Sequence, residues 1–585
     1  MTPRKVKLLL AAAAGAALFA LSHFPPLAEV VTLFDGGQGA GAVLFAPGAA
    51  AVPPSWVFRY GCLVAGALAL APLVPALGRA ALQAAAFVRR RLGDWWVVGL
   101  VGLASALASA FLGHLSLGGE GHTWGERELL FQARIIASGH LTAAAPATED
   151  AGPDFLVGPE EGLREGRWFS IFPPVAPALL AVGEALGRPG LVNAALGLLT
   201  AFVLFGWGRR LVGDDVALLA TLLYAASPFV LFANASFQAQ PAFLLLLLLF
   251  MWTGEEALRT GEAGAAVLAG VMLAALFGTQ PYASLAAAIP AVGLALYLAR
   301  RGRGRRPLPY LAAGLAAGAL ALLAYNYATT GAPLRFPWAY GENRILGVPV
   351  PGLSPALILL TTRRLWTLAT DLHGWPLLSL LPALAPLCLK KLPSALRFSY
   401  AVAALTLVLF LLPHAEGIPY GAAAYYGLLP AALLGGAYGL TLLPEWLRGK
   451  WGFPAGTAAA AVVLAVAAGT APYLASVEPI YRHYWGFPEG KKPWVTPQLG
   501  AALEEWQVWE AIIFVAPEER CGGPPPNDAA LENRIIYARD RGERNEAFAA
   551  HFPPRPYLLC DYREFERTGV LRVLELEPAA AEGGP

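Results

Sequence analysis

The chain has 585 residues, of which 57% are hydrophobic and only 14% charged, and its formal net charge is +2. That balance lies outside the usual range of soluble globular chains. The basic residues are scattered in short clusters, so a nucleic-acid partner has no electrostatic footprint here and that class is set aside.

In chain order, the sequence opens on Met1-Thr2-Pro3-Arg4-Lys5-Val6-Lys7 and an apolar run to Ala20. This reads as an uncleaved anchor, because the run is long and Leu21-Ser22-His23-Phe24-Pro25 is a poor cleavage context. Apolar windows of about 15 to 22 residues give about thirteen candidate spans. They lie near 5–23, 60–78, 96–115, 190–208, 215–233, 240–254, 264–279, 283–300, 309–327, 375–389, 398–413, 424–442 and 454–474, the short ones near 240 and 264 being the weakest. Alternate connections hold the basic clusters: Arg89-Arg90-Arg91, Arg209-Arg210, Arg300 to Arg306, Lys390-Lys391 with Arg397, and Arg448 with Lys450. Cytoplasmic loops carry the Lys and Arg excess, so these connections face the cytoplasm. A basic, cytoplasmic amino terminus and an odd number of spans then put the tail outside.

The outer connections are unequal. Segment 116–172 is acidic, with nine Asp and Glu against four Arg, and 328–374 mixes Pro, Gly, aromatic and arginine residues. Long loops on a rigid scaffold are where function is expected. Within the first, Glu126 to Ser138 predicts a helix whose apolar side lies on the membrane interface, with Glu126 near the start, where the helix dipole favours a carboxylate. The stretch Pro173 to Gly183 begins with helix-starting prolines but is too short to span, which predicts a half-inserted or surface helix. In the tail, Ala511 to Val515, Arg534 to Ala538 and Tyr557 to Leu559 read as strands and Arg544 to Ala550 as a helix. Cys62 and Cys388 fall in spans; Cys521 and Cys560 fall in the tail, where a bridge and two free thiols are both open. The expected fold is an all-α polytopic membrane protein of about thirteen transmembrane helices with a small α/β extracytoplasmic C-terminal domain. It divides into extra amino-terminal spans (1–95), a transmembrane core (96–476) with outer loops 116–189 and 328–374, and the tail (477–585).

No Asp, Glu, Lys or Arg sits in the middle of a predicted span, which argues against an ion- or proton-coupled transporter. Charges gather at outer span ends instead, as in a site at the membrane boundary fed by a lipid-borne substrate. Glu126, Glu128 and Glu120 are the carboxylates there; Glu126 is either an amino-terminal helix charge or a general base for an acceptor hydroxyl. Arg134, Arg335, Arg344, Arg363 and Arg364 stand out because positive charge is depleted outside, and snorkelling beside Trp338 and Trp366 is their plain alternative. His122, four residues before Glu126, would share its face on a helix that began earlier, but two ligands on a Gly-flanked segment are not a divalent-metal signature and spacing indicates no third, so no cofactor is required. Asp371 and His373 read as turn residues.

The run Glu126 to Gly139, with Phe131-Gln132-Ala133-Arg134, resembles the first outer loop of bacterial C-superfamily glycosyltransferases, the multi-span enzymes related to protein mannosyltransferases and aminoarabinose transferases. The resemblance continues in Gly166 to Pro174, at Ser227-Pro228-Phe229, at Tyr325 to Leu334, at Tyr420-Gly421 with Tyr425-Tyr426, and at Tyr537 to Gly542. It covers roughly 96–476 and part of the tail. It implies transfer of a sugar from a polyprenyl-phosphate donor to a glycan, lipid or protein acceptor at the outer face of a bacterial cytoplasmic membrane, with inversion at the anomeric carbon. Under that reading the five arginines, with Gln240, Tyr425 and Tyr426, are candidates for holding the substrate and its lipid phosphate.

The sequence departs from the family pattern at several polar positions. An Asp-Glu pair is usual where this chain has Gly125-Glu126, and Gln238, Gln240, Gln280-Pro281 and Ala424 stand where His, Arg-Pro and Arg are common. The alternative is therefore a catalytically degenerate relative that binds lipid-linked glycan or scaffolds an envelope complex.

Overall fold

A computed structural model of the chain describes residues 12–18, 54–115, 117, 119, 121, 124–144, 153–156, 161–300, 306–340, 355–376, 378–411, 423–454, 456–474, 503–516, 527, 531–561 and 572–576. Helices dominate it. The membrane part begins with α1 (Pro54–Leu70), α2 (Pro75–Leu92) and α3 (Asp94–Leu115). Then come α4 (Trp124–Ala137), strands β1 (Ala143–Ala144), β2 (Glu161–Arg164) and β3 (Arg167–Ser170), and α5 (Val175–Ala185). The central helices are α6 (Val192–Val212), α7 (Asp214–Ala225), α8 (Pro228–Ala235), α9 (Gln240–Thr260), α10 (Ala263–Phe277), α11 (Pro281–Arg300) and α12 (Pro307–Thr330). After them lie α13 (Pro355–Asp371), α14 (Leu381–Cys388), α15 (Arg397–Leu411), α16 (Gly436–Trp451) and α17 (Thr457–Ala465).

Among the described residues, seven helical segments are long and apolar enough to cross a bilayer, and nine if two bent pairs each count as one span. The seven include α3, α6, α9, α11, α12, α15 and α17; the bent pairs are α1 with α2, at 90°, and α7 with α8, at 57°. Apolar windows count side chains whatever the backbone does, and the backbone here is interrupted. The α7–α8 break follows from Ser227-Pro228: Pro228 offers no N–H to a continuing helix, and Ser227 caps the new one by accepting from the Val230 amide at 3.3 Å. The window near 264–279 becomes the 15-residue α10, and that near 375–389 holds only the eight-residue α14. Most of the window near 5–23 lies outside the described residues.

Close packing rests on small residues. A Cβ at Gly314 on α12 would overlap the Val267 carbonyl of α10, and one at Gly270 would overlap the Leu311 carbonyl, so the two helices meet backbone to backbone. The core around α6 to α9 is apolar and large, with Leu204, Leu247, Leu248 and Tyr425 fully buried.

The 21-residue helix α6 sets the distance between the two ends of this bundle. At its start, Asn193 donates from Nδ2 to the carbonyls of Ser236 (2.7 Å) and Gln238 (2.9 Å). About 24 Å further on, Arg209 pairs with Asp214 at 2.9 Å and Arg210 pairs with Glu256. At that basic end Arg89 also joins Asp94 (2.7 Å) and Asp215, tying α2 to the starts of α3 and α7. The basic clusters Arg89 to Arg91 and Arg209-Arg210 thus meet at one end of the bundle, as the charge pattern implies.

Three tail strands and a helix fall where the sequence predicts them, and a fourth strand, Arg572–Leu576, is one it does not predict. Strands β4 (Ala511–Ala516), β5 (Ile535–Arg539), β6 (Tyr557–Asp561) and β7 (Arg572–Leu576), with helix α18 (Arg544–Ala549), form a four-stranded sheet of order β5-β4-β6-β7. The first three strands are parallel and β7 is antiparallel. Cys560 is buried on β6, whereas Cys521 lies outside the described residues. The sheet is docked by a residue of the first long loop. Phe155 lies stacked on Phe548, with centroids 4.6 Å apart, and edge-on to Phe514. Its neighbour Leu156 packs with Phe131, Ile135 and Trp168, so a short helical turn, Pro153–Leu156, links the tail to α4 and β3.

Candidate active site

The helix predicted from Glu126 to Ser138 is α4, two residues longer at its start and one shorter at its end. It does not lie half exposed on an interface. Glu126, Arg127 and Glu128 are 1%, 3% and 3% exposed, and α4 is also covered through Leu129, Leu130, Phe131, Ala133 and Ile135. Two different surfaces do this: Leu129, Leu130 and Ala133 pack on Ala176 and Leu180 of α5, while Phe131 and Ile135 pack on Trp168 of β3. Three consecutive charged residues are thereby withdrawn from water, a costly arrangement that needs specific partners.

Backbone groups are among those partners. Glu126 accepts the Phe237 amide on Oε1 at 3.0 Å. Arg127 donates from Nε to the Gly121 carbonyl at 3.0 Å. Gln132, one helical side further on, donates to the Leu141 carbonyl (2.9 Å) and accepts the Ser170 amide (3.0 Å), fixing α4 to the three-stranded sheet of order β1-β3-β2. The loop that meets Glu126 runs from Ser236 to Ala239, between α8 and α9, and is clamped from the other side by Asn193. Buried Gln238 and Gln240 flank the contact.

A second group sits at the other end of α8. Phe229, near its start, packs on Tyr426 with ring centroids 5.2 Å apart, and Tyr425 packs on Phe410 at 5.5 Å. Arg364 of α13 is buried against Tyr425; burial pulls its guanidinium below the ordinary arginine value, and Tyr425 opposes that shift. With eight residues, α8 separates the two groups by about 12 Å. The adjoining turn is locked as well: Ser227 donates to the Leu372 carbonyl, Tyr473 donates to Asp371, and Thr470 donates to the His373 carbonyl at 2.6 Å. His373 does belong to a turn, whereas Asp371 closes α13; both side chains are buried, which the sequence reading did not foresee.

The remaining candidates lie elsewhere. Arg134 points to Glu184 of α5 at 3.3 Å. Arg335 donates to the Tyr340 hydroxyl at 3.1 Å, a group it shares with Arg164. Glu120, His122 and Arg344 fall outside the described residues, and the side chain of Arg363 is not described. Among the described residues no group of three His, Cys, Asp or Glu is placed to hold a metal ion. Sequence reading missed Asn193, Arg127 and the Phe237 amide; of these only Asn193, a lone amide in an apolar run, left a signal.

Comparison with known proteins places a family label on the central helices. Residues 173–325 match the family model described as dolichyl-phosphate-mannose-protein mannosyltransferase. No curated protein matches the sequence. Among solved structures, the chain is similar to ArnT from Cupriavidus metallidurans bound to undecaprenyl phosphate, at 15% identity over 84% of this chain and 98% of that one, with a TM-score of 0.49. It is also similar to the archaeal oligosaccharyltransferase AglB from Archaeoglobus fulgidus in complex with an inhibitory peptide and a dolichol-phosphate, at 13% identity over 81% of this chain and 70% of that one, with a TM-score of 0.43. The arabinosyltransferase EmbB from Mycobacterium smegmatis is similar at 15% identity over 67% and 34% of the two chains, with a TM-score of 0.37. The resemblance read from the sequence is thus borne out over residues 173–325, which are similar to the dolichyl-phosphate-mannose-protein mannosyltransferase family.

Proposed function

We propose that the protein transfers a sugar from a polyprenyl-phosphate donor to an acceptor at the outer face of a bacterial cytoplasmic membrane. One observation carries this reading: Glu126 is a buried carboxylate held by the amide of Phe237, and it is Phe237 that lies within the segment matching the family model. A carboxylate kept out of water and held in one orientation is suited to general-base work. In the proposed step Glu126 takes the proton of an acceptor hydroxyl as the oxygen attacks the anomeric carbon. The bond from that carbon to the phosphate oxygen breaks, and its electron pair leaves with the polyprenyl phosphate. Glu128 is the second carboxylate, and Arg364 beside Tyr425 is the favoured cation for the phosphate, because Arg offers several fixed donors to its oxygens.

The same proposal keeps the basic end of the bundle in the cytoplasm and the tail outside, with about thirteen spans in the full chain. It requires no cofactor, so transfer should survive chelation of divalent cations. The test is transfer from radiolabelled undecaprenyl-phosphate sugars in membrane vesicles. Glu126→Gln should lower the rate about 10²- to 10⁴-fold; an unchanged rate removes Glu126 as the base. A second reading, a non-catalytic relative that binds lipid-linked glycan, is favoured by Gln238, Gln240 and buried Ala424 at positions where the family pattern has ionisable groups. It is supported if the wild type binds polyprenyl-phosphate sugar without turning it over.

A further inference from the structure

Helix α2 serves no part of that site. Its 18 residues join the end of α1 to the start of α3, and its axis stands at 90° to the helix before it. With α1 as the spanning part of this bent pair, the perpendicular α2 lies in the plane of the membrane, and at about 1.5 Å per residue it covers about 27 Å of that plane. It is tethered at both ends. Gly78 crosses α17, where a Cβ would overlap the Gly456 carbonyl. Arg89 is bonded to Asp94 and Asp215 at the basic end of the bundle.

Between the tethers its faces differ. With about 100° per residue, Leu77, Ala81, Ala84, Val88 and Leu92 share one side, and Arg79, Gln83 and Arg90 share the opposite one. Leu77, Val88 and Leu92 are about 40% exposed, so no protein among the described residues covers the apolar side. The helix contains Arg79, Arg89, Arg90 and Arg91 and no acidic residue. Asp94 and Asp215 neutralise Arg89, whereas among the described residues Arg90 and Arg91 form no ion pair: Arg90 donates to its own helix at Ala86, and Arg91 lies 5.5 Å above the Phe87 ring. An apolar stripe with unneutralised Arg90 behind it and Arg91 at its edge is the composition of an interfacial helix that seeks anionic lipid.

We propose that α2 is an in-plane helix that seats Leu77, Val88 and Leu92 in the acyl boundary of the leaflet at the basic end of the bundle and binds anionic phospholipid headgroups through Arg90 and Arg91. The proposal is independent of any catalytic reading. It gives the protein a lipid-dependent anchor at the basic end of the bundle, where Arg89 ties α2 to α3 and α7.

The test uses the full chain in nanodiscs of phosphatidylcholine alone or with added phosphatidylglycerol. Two quantities are read: hydrogen exchange of the amides of residues 75–92, and phosphatidylglycerol retained in native mass spectra. Wild-type α2 should exchange more slowly when phosphatidylglycerol is present. Retention should fall about fivefold for each arginine removed in Arg90→Gln and Arg91→Gln, the equivalent of about 1 kcal/mol per charge. Equal retention by wild type and the double variant overturns the headgroup assignment. Val88→Glu, an exposed site that leaves the core intact, should deprotect α2 in both discs. If protection is unchanged, the apolar side is covered by protein, such as a second copy of the chain, and the proposal fails.

Discussion

The Phe237 amide and Glu126 Oε1 lie 3.0 Å apart across 111 residues of sequence, and that bond joins the first long loop to the central bundle. It depends on a neighbour. Asn193 holds the Ser236 and Gln238 carbonyls on either side of Phe237. Asn193→Ala removes both donors and leaves two buried carbonyls, each costing about 1–3 kcal/mol when unsatisfied. Thermal unfolding in detergent should show the loss. Under the proposed function the turnover number should fall as well, because the amide that orients Glu126 would no longer be held in place.

Phe155 makes a separate prediction. It fills a hole between Phe514 and Phe548 and is one of the contacts by which the first loop holds the tail sheet. Phe155→Ala should weaken that docking by about 3–5 kcal/mol, the usual cost of truncating a buried phenylalanine. Limited proteolysis reads it directly: cleavage between the transmembrane helices and β4 should accelerate, while the helical part keeps its melting temperature.

A third expectation concerns the α10–α12 contact. Gly314→Val places side-chain atoms where the Val267 carbonyl now sits, so the helices must separate. Overpacking of this kind costs about 1–3 kcal/mol. The melting temperature should drop, and Gly293→Val, at a glycine on α11 with open space around it, should leave it unchanged.

These residues also show what the sequence made legible. The tail strands were readable because β-branched runs bounded by Pro and Gly carry their own signal, and β4, β5 and β6 fall within a few residues of the runs that predict them. Helix α4 was readable too, but its burial was not. Polar Glu126, Arg127 and Glu128 followed by Leu129, Leu130 and Phe131 imitate an amphipathic surface helix, and only the fold brings α5 to one side and β3 to the other. Glu126 was singled out from its residue type and position. Its partner escaped notice because a backbone amide has no sequence signature. The span count was blurred by breaks such as Ser227-Pro228, which leave the hydropathy of a window unchanged while bending the helix by 57°.

The turn after α13 carries a pH prediction. His373 is buried beside Trp375, with ring centroids 5.0 Å apart, and burial pushes its imidazole down to about 3, only partly opposed by a backbone hydrogen bond at Leu372. The native state therefore keeps His373 neutral where the unfolded chain, with an ordinary value near 6.5, takes up a proton. Below that pH the unfolded state binds more protons than the folded one, so stability falls as pH falls from 6.5 towards 3. Between pH 7 and pH 5 this one group should remove about 2 kcal/mol, since each unit below the unfolded value costs about 1.4 kcal/mol. The turn is linked to the site: Ser227, at the head of α8, bonds the Leu372 carbonyl, and Tyr473 bonds Asp371. Melting temperatures of the wild type should accordingly decline over that range. His373→Gln, which has no proton to gain, should flatten this part of the curve; a wild-type curve equally flat between pH 7 and pH 5 would show that His373 is not held neutral by the fold.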